Sequence, residues 1–237
     1  MPTAPSHIFD SQPSTWQDLE LLVEQAFAEM DYECKRGHEL STVRGKVKID
    51  VYAVKHNTSI PTVVLCECKY WTKPVEQSVV YSFRSICGDV GAHLGLIISR
   101  AGFQSGANET REATNIHLLD FDAFQETFFN EWRTGIFGRF VQMTDVMMPL
   151  ITTKFTSKDP ALTERLVGVS PFLKYEMFLG GERSFREYFI FRNDLPVEIF
   201  DPRGNPHELK RITIRSFREY FEIGRQATAD VRKYFGI

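Results

Sequence analysis

The chain has 237 residues, of which 43% are hydrophobic and 25% charged, a composition that excludes a largely disordered protein because it can bury a sizeable core. Its formal net charge is −3, with 16 Lys and Arg against 13 Asp and Glu in residues 136–237 and a balance of −6 over residues 1–135. The chain is therefore not basic throughout, and any surface that neutralises nucleic-acid phosphates must be local.

The N-terminal segment is expected to be an extended leader followed by a helix. Residues 1–14 contain three prolines and few large apolar side chains. Thr15 is suited to be an N-cap, and Asp18 stands three residues later, where it can complete a capping box. The residues that follow repeat at helical spacing, which predicts an amphipathic helix. Its apolar positions are Trp16, Leu19, Leu22, Val23, Ala26, Phe27 and Met30.

Three extended runs follow this helix, over residues 32–40, 46–55 and 61–70. The third run begins at a proline and is rich in β-branched side chains, which is typical of a strand. Gly45 allows a turn between the first two runs. The sequence therefore predicts a three-stranded meander.

The next segment alternates helices with short strands. Pro74 occupies a position that the first turn of a helix accepts, and apolar residues follow it at helical spacing. Strands are predicted over 93–99 and 116–120, with a loop and a small helix between them in 102–115 and a last helix over 122–132. This order predicts an α/β fold of the type α-β-β-β-α-β, with a mixed central sheet flanked by helices.

The pattern changes after Gly135, because glycines and prolines break the sequence into short pieces. Strands are predicted over 184–191 and 195–205, with a turn in 202–205, and a terminal helix over 216–235. The predicted organisation is a leader (1–14), an α/β domain (15–135) and an α+β C-terminal accessory domain (136–237).

Cysteine spacing and hydropathy indicate the compartment. The four cysteines lack C-x-x-C spacing and a matching histidine pair, which excludes a zinc ribbon or finger. No basic-then-apolar signal is present, and no apolar run approaches the roughly 20 residues that a membrane span needs. We expect a cytoplasmic protein with no membrane partner, in which Cys66 and Cys68 are small core residues.

Candidate catalytic residues lie on two neighbouring predicted strands. Residues two apart in a strand share a face, so Asp50 is expected on a polar face, opposite Ile49 and Val51. Glu67 and Lys69 share a face of the next strand. Two carboxylates on adjacent strands form a hard oxygen site for Mg²⁺, and a nearby lysine can orient water or neutralise transition-state charge. The solvated edge of a sheet would show the same pattern.

In its context this pattern resembles the PD-(D/E)xK nuclease superfamily, specifically the restriction-endonuclease-like domain of the Mrr type. The resemblance covers roughly residues 15–120. It rests on the opening helix WQDLELLVEQAFAEMDYEC, on Gly45 and the Ile49-Asp50 pair, and on the E-C-K triplet at 67–69. The segments VEQSVVYSF and LIISRAGFQSGANETREA also resemble the family's later helix and strand.

The resemblance implies the roles of the site residues. Asp50 and Glu67 would be ligands of a Mg²⁺ ion, for which Mn²⁺ could substitute, and Lys69 would be the catalytic lysine. Glu20 matches the acid that related nucleases carry on the first helix, although Glu24, one turn later, competes for this role.

Other polar residues are candidates for contact with the substrate. Gln77 lies near the place where some family members have a polar active-site residue. Arg44, Lys46 and Lys48 precede the candidate catalytic aspartate and either meet phosphates or form only the solvated side of a strand.

The resemblance also implies a metal-dependent endonuclease that hydrolyses DNA in restriction, anti-phage defence or repair. A homodimer is expected, since one such site cuts one strand, and residues 136–237 are expected to contact substrate, a partner protein or a second copy. Two alternatives remain open. One is a non-cleaving nucleic-acid-binding or scaffold protein of the same fold; the other is a structure-selective resolvase or an RNA-cutting relative.

Overall fold

The structure is a computed structural model that describes residues 7–43, 45–56, 59–108, 115–155, 195–201, 203 and 210–236. The described residues divide into two compact units between Gly135 and Ile136. Within these ranges no helix is both long and apolar enough to cross a membrane.

The first unit contains the predicted order of helices and strands. Its elements are α1 (Trp16–Glu29), β1 (Glu33–Thr42), β2 (Gly45–Lys55), β3 (Thr62–Lys69), α2 (Gln77–Asp89), β4 (Leu94–Ser99), α3 (Ser105–Asn108), β5 (Ile116–Leu119) and the start of α4 (Phe121–Phe155). The five strands form one sheet in the order β1-β2-β3-β4-β5. Strands β1 to β3 are antiparallel, whereas β3, β4 and β5 are parallel. The predicted α/β fold with a mixed sheet is confirmed.

The start of α1 shows why this segment is helical. Thr15 adopts an extended backbone and accepts a hydrogen bond from the Asp18 N–H at 3.1 Å, while Asp18 accepts one from the Thr15 N–H at 3.2 Å. This reciprocal pair satisfies two of the N–H groups that a helix start leaves without partners. The predicted capping box is confirmed, and it fixes where the helix that carries Glu20 begins.

Residues 7–14 pack against the rest of the unit, although they form neither helix nor strand. Ile8 is fully buried, and the Phe9 N–H donates to Gln125 Oε1 of α4 at 2.8 Å. The part of the predicted leader that the structure describes therefore contributes to the core. Residues 1–6 of that leader lie outside the described residues.

The two helices around the later strands differ from the sequence prediction. Helix α2 begins at Gln77, after the N-cap Glu76, so Pro74 precedes the helix instead of occupying its first turn. Helix α4 continues to Phe155, beyond the predicted end at 132 and through Gly135. A Cβ on Gly135 would lie 2.6 Å from the Glu29 carbonyl oxygen, so this glycine allows close packing and does not end the helix.

The second unit is described in part. It contains β6 (Val197–Phe200), β7 (Arg211–Ile214) and α5 (Phe217–Phe235), with β6 and β7 antiparallel. Ser216 caps α5 by accepting the Glu219 N–H at 3.0 Å. The predicted terminal helix is present, whereas β7 was not predicted. The strand predicted over 184–191 lies outside the described residues, as does most of the turn predicted at 202–205.

Candidate active site

The candidate site lies where two strands of the sheet separate. The β2–β3 pairs run from Lys55↔Thr62 to Val51↔Cys66, whereas pairing between β3 and β4 continues to Lys69↔Ser99. Asp50 and Glu67 are the next residues beyond the last β2–β3 pair. Both carboxylates therefore stand at an opening of the sheet, where their charges are not enclosed by a continuing ladder.

The Asp50 carboxylate is held by the backbone of the neighbouring strand. The Cys68 N–H donates to Asp50 Oδ2 at 2.8 Å, at a point where the β2–β3 ladder no longer supplies a carbonyl acceptor. A backbone donor fixes the orientation of a carboxylate and stabilises its ionised form. The opening of the sheet thus positions the first candidate ligand.

Glu67 and Lys69 form an ion pair on the same face of β3. Lys69 Nζ donates a hydrogen bond to Glu67 Oε1, and only 15% of the lysine side chain and 20% of the glutamate side chain are exposed. Burial raises the pKa of Glu67, and the nearby Asp50 charge raises it further, while Lys69 opposes both effects. Lys69 therefore only partly offsets the effects of burial and of Asp50 on the pKa of Glu67.

Glu20 belongs to the same group of charges. Its pKa is raised by burial first and then by Asp50, against opposing effects of Arg36 and Lys48, and Glu67 raises it slightly further. Glu24, the competing acid on α1, instead forms an ion pair with Arg36 at 2.6 Å. The structure thus brings Glu20, and not Glu24, into the electrostatic environment of the strand carboxylates.

The three cations that precede Asp50 have different surroundings. Lys48 is exposed, and its charge is close enough to Glu20 to oppose the rise in the pKa of Glu20. Lys46 is also exposed and pairs with Glu39 at 2.6 Å. Arg44 lies outside the described residues. Of the two that the structure describes, Lys48 is the cation associated with the acidic site.

The predicted alternation of faces along β2 does not hold through Asp50. Ile49 belongs to the buried cluster that contains Leu65 of β3 and Phe83 of α2, and Tyr52 packs against the same cluster. Strict alternation would place Ile49 and Tyr52 on opposite faces. The prediction that Ile49 and Val51 both back a regular polar face was therefore too simple.

Gly37 on β1 explains this irregularity, and the sequence reasoning missed it. The register runs from Arg36↔Val51 to His38↔Ile49, which places Gly37 opposite Asp50. Gly37 has a φ of +59°, and a Cβ there would lie 2.7 Å from Lys48 Cε. A single glycine inside a strand pattern is a known signal of a bulge or a close approach, and it was available in the sequence.

Gln77 is the first residue of α2, and its side chain has a partner within that helix. Its side-chain Nε2 donates to Tyr81 Oη at 2.9 Å, within its own helix, rather than to Asp50 or Glu67. Gly106 of the next helix lies beside it, with 3.3 Å between an added Cβ and Gln77 Oε1. The structure thus gives Gln77 a local partner.

The chemistry of the donor set fits a hard divalent cation. In the part of the chain that the structure describes, no group of three or more His, Cys, Asp and Glu residues is arranged to hold a metal ion. Mg²⁺, however, commonly takes only one or two protein carboxylates and keeps waters that a substrate phosphate can replace. Asp50 and Glu67 supply two carboxylates, and they are close enough for the charge of Asp50 to raise the pKa of Glu67.

The five-stranded mixed sheet flanked by helices is consistent with a restriction-endonuclease-like fold. Residues 12–128 match the family model Mrr_cat, a restriction endonuclease family. Residues 12–128 therefore form a domain of the Mrr restriction endonuclease type.

Two solved structures are similar to parts of the chain. One is the crystal structure of a protein of unknown function, AF1548, with 19% identity over 45% of this chain and 57% of that one, and a TM-score of 0.38. The other is the MspJI restriction endonuclease in complex with a 27-mer oligonucleotide, with 21% identity, a TM-score of 0.32, and coverage of 46% and 27%. The chain thus spans 57% and 27% of their lengths, and no curated protein matches it.

Proposed function

We propose that the chain is a metal-dependent endonuclease that hydrolyses DNA phosphodiester bonds with Asp50, Glu67 and Lys69. The observation that carries this proposal is the pairing of two carboxylates with a lysine at the opening between β2 and β3. The match of residues 12–128 to a restriction endonuclease family supports DNA as the substrate.

Each residue has a separate role in this proposal. Asp50 and Glu67 would hold Mg²⁺, or Mn²⁺ in its place; a cation bound there polarises a phosphoryl oxygen and makes water more acidic. Lys69 is held by Glu67 at the same opening. From there its ammonium group orients the attacking water and neutralises charge that develops on the phosphate.

Glu20 extends the acidic cluster from the helix side. Its half-buried carboxylate is close enough to Asp50 for the pKa to rise, so a cation near Asp50 would also be attracted by Glu20. We assign it to binding of the cation or its waters, which distinguishes it from the paired Glu24. Replacement of Glu20 should weaken binding of the metal more than replacement of Glu24.

The biological setting follows from the family alone. Restriction, anti-phage defence and repair are roles in which cleavage of foreign or damaged DNA is useful, and we propose such a role in the cytoplasm. One site cuts one strand, so duplex cleavage would need two copies of the chain. The unit after Gly135 is the candidate for contact with a second copy, a partner protein or more DNA.

Cleavage of plasmid DNA tests the proposal. Supercoiled and linear DNA would be incubated with the purified chain in Mg²⁺, Mn²⁺ or EDTA, beside Asp50→Ala. We expect nicking or linearisation only with the metals, and a loss of about 100-fold or more in the variant. Glu33→Ala is the matched control, because Glu33 is an exposed acid of the same sheet, paired with Lys35 at 3.1 Å.

Four results would contradict the proposal. Cleavage in EDTA would exclude metal dependence, and cleavage that survives Asp50→Ala would remove the assigned ligand. Binding of DNA or RNA without any cleavage would favour the non-cleaving alternative. Cleavage of RNA or of four-way junctions, but not of plasmid, would favour the RNA-cutting or resolvase alternatives.

A further inference from the structure

An exposed tryptophan stands beside the candidate catalytic lysine. Trp71 follows β3 by two residues, and 45% of it is exposed. Lys69 Nζ lies over the indole ring, 5.2 Å from its centroid. The same ammonium group that pairs with Glu67 is therefore in contact with an aromatic surface that solvent reaches.

The backbone that carries Trp71 is held in place on both sides. Tyr70 Oη donates to the Pro13 carbonyl at 3.2 Å, and the Arg100 guanidinium lies 4.6 Å from the Tyr70 ring centroid. The Arg100 N–H donates to the Lys69 carbonyl at 3.0 Å. These contacts fix the segment between Lys69 and Trp71, so the indole is presented at a defined place next to the site.

The usual role of a tryptophan after a strand is packing under the next helix. Trp132, on α4, is an example of a packed tryptophan in this domain, because it is fully buried and donates through Nε1 to Glu29. Trp71 is not packed in this way, since it and the residues up to Pro74 are all exposed before α2 begins. Exposure of a large apolar ring to water is unfavourable in free energy, and a ligand that covers the ring removes this unfavourable contribution.

We propose that Trp71 stacks on an unpaired base of the DNA whose backbone enters the site, and that the chain therefore acts on single-stranded or locally unpaired DNA. This inference rests on the proposed function. A base and its own phosphate are separated by only a sugar, so a base on the face of Trp71 opposite Lys69 would place a phosphate near Lys69 and Glu67.

The geometry favours unpaired bases over a regular duplex. Bases inside a duplex stack on one another and present only their edges, so an indole reaches a base face only when the base is unpaired or flipped out. Aromatic stacking together with backbone cations is the general mode by which proteins bind single strands. Cations are present around Trp71: Lys69 contacts its ring, Arg100 contacts the ring of the preceding Tyr70, and the exposed Lys73 follows two residues later.

Binding without cleavage tests the inference separately from the nuclease activity. The full chain would be titrated with a fluorescein-labelled single-stranded oligonucleotide in EDTA and in Ca²⁺, and with the matched duplex as competitor. We expect tighter binding of the single strand and a loss of about tenfold for Trp71→Ala, with much of the affinity kept in Trp71→Phe. Ile60→Ala is the matched control, because Ile60 is a 70% exposed apolar residue that precedes β3.

Fluorescence and an abasic site identify the stacking contact itself. In a Trp16→Phe background two tryptophans remain, of which Trp71 is exposed and Trp132 is buried. Binding of a single strand should therefore quench the fluorescence of Trp71. A series of oligonucleotides would each carry one abasic site, placed at a different position along the strand. At the position that stacks on Trp71, Trp71→Ala and the unchanged chain should bind with equal affinity, because the base that makes the contact is already absent. A substitution that merely disturbs Lys69 would weaken intact and abasic DNA equally.

The outcomes separate this inference from the proposed function. Plasmid cleavage that depends on Asp50, combined with equal affinity of Trp71→Ala and the unchanged chain for single strands, overturns only the stacking. Tryptophan-dependent, base-dependent binding without cleavage supports the stacking and overturns the nuclease. Preference for intact duplex, or quenching that persists with every abasic position, overturns the stacking.

Discussion

Among the described residues of the first unit, two half-buried lysine–glutamate pairs differ in what surrounds them. At one end of the β2–β3 ladder Lys55 Nζ meets Glu131 Oε1 at 2.7 Å, with 20% and 40% of the two side chains exposed. At the other end Lys69 pairs with Glu67, with 15% and 20% exposed. The same two residue types are thus placed in similar burial at opposite ends of two strands.

The first pair is balanced by its neighbours. Tyr32 Oη donates to Glu131 at 3.3 Å, and Lys55 Nζ lies 4.8 Å from the Tyr32 ring centroid. One positive charge, one negative charge and one neutral hydroxyl therefore satisfy one another. Such a group stabilises the way α4 packs on the sheet and has no need of a ligand.

The second pair has an excess of negative charge. The charge of Asp50 raises the pKa of Glu67, and the charge of Glu67 in turn raises the pKa of Glu20. Lys69 is the cation that is hydrogen-bonded to Glu67. Uncompensated carboxylates at an opening of the sheet lower the stability of the apo protein and attract cations. The surrounding charges, and not burial, therefore distinguish the two pairs.

Exchange of the two lysines for methionine should produce the largest contrast. Lys69→Met should reduce DNA cleavage by about 100-fold or more, because a positioned cation is lost from the reacting phosphate. Lys55→Met should leave cleavage nearly unchanged and lower the stability by about 1 kcal/mol, because Glu131 loses its partner. Steady-state cleavage rates and urea unfolding of both variants measure the difference.

A reversed result would remove the distinction between the two pairs. If Lys55→Met lost as much activity as Lys69→Met while remaining folded, the Lys55–Glu131 pair would belong to the functional machinery. If Lys69→Met cleaved DNA normally, the lysine would have only a structural role.

Neutralising the two glutamates should change stability in opposite directions. Burial and Asp50 raise the pKa of Glu67 above its ordinary value of 4.5, so ionised Glu67 costs folding free energy at neutral pH. Glu67→Gln should therefore raise the melting temperature at pH 7 without metal. Glu131→Gln should lower it, because it weakens the bond to Lys55.

The pH dependence of stability identifies the contribution of Glu67. A raised pKa in the folded state means that the stability linked to this group is fully present below 4.5 and is lost as the pH rises through the folded-state value. The advantage of Glu67→Gln should therefore disappear as the pH falls below 4.5. Added Mg²⁺ should stabilise the unchanged chain more than this variant. A constant difference at every pH would exclude the titration of Glu67 as its cause.

Local sequence signals were sufficient for the parts of the site that lie on one strand or one helix. The capping box of Thr15 and Asp18 fixes the start of α1, and the two-residue period places Glu67 and Lys69 together. These features depend on neighbours a few residues apart, so they are visible in the sequence. The mixed sheet followed from the order of such elements.

Features that depend on distant parts of the chain were not predictable. Lys55 and Glu131 are 76 residues apart in sequence, and nothing local predicts that they meet. The helix was predicted to end at 132 and the pattern to change after Gly135, but α4 continues through Gly135, which allows close approach of the Glu29 backbone. Glycine has several roles, and only the tertiary contact decides among them.

Tyr32 provides the smallest and most selective test of the balanced pair. Burial, and then the charge of Glu131, raises the pKa of Tyr32 to about 12. The linked stability is therefore fully present below the ordinary value of 10 and is lost as the pH rises toward 12. Tyr32→Phe should cost about 0.5–1.5 kcal/mol at pH 8, from the lost hydrogen bond, and should make the alkaline decline of stability shallower.

Urea unfolding at several pH values measures both effects, with Tyr81→Phe as the control for a hydroxyl on an exposed side chain. An unchanged alkaline decline in Tyr32→Phe would show that Glu131 is not balanced by a neutral phenol, and the contrast between the two pairs would then rest on Lys55 alone.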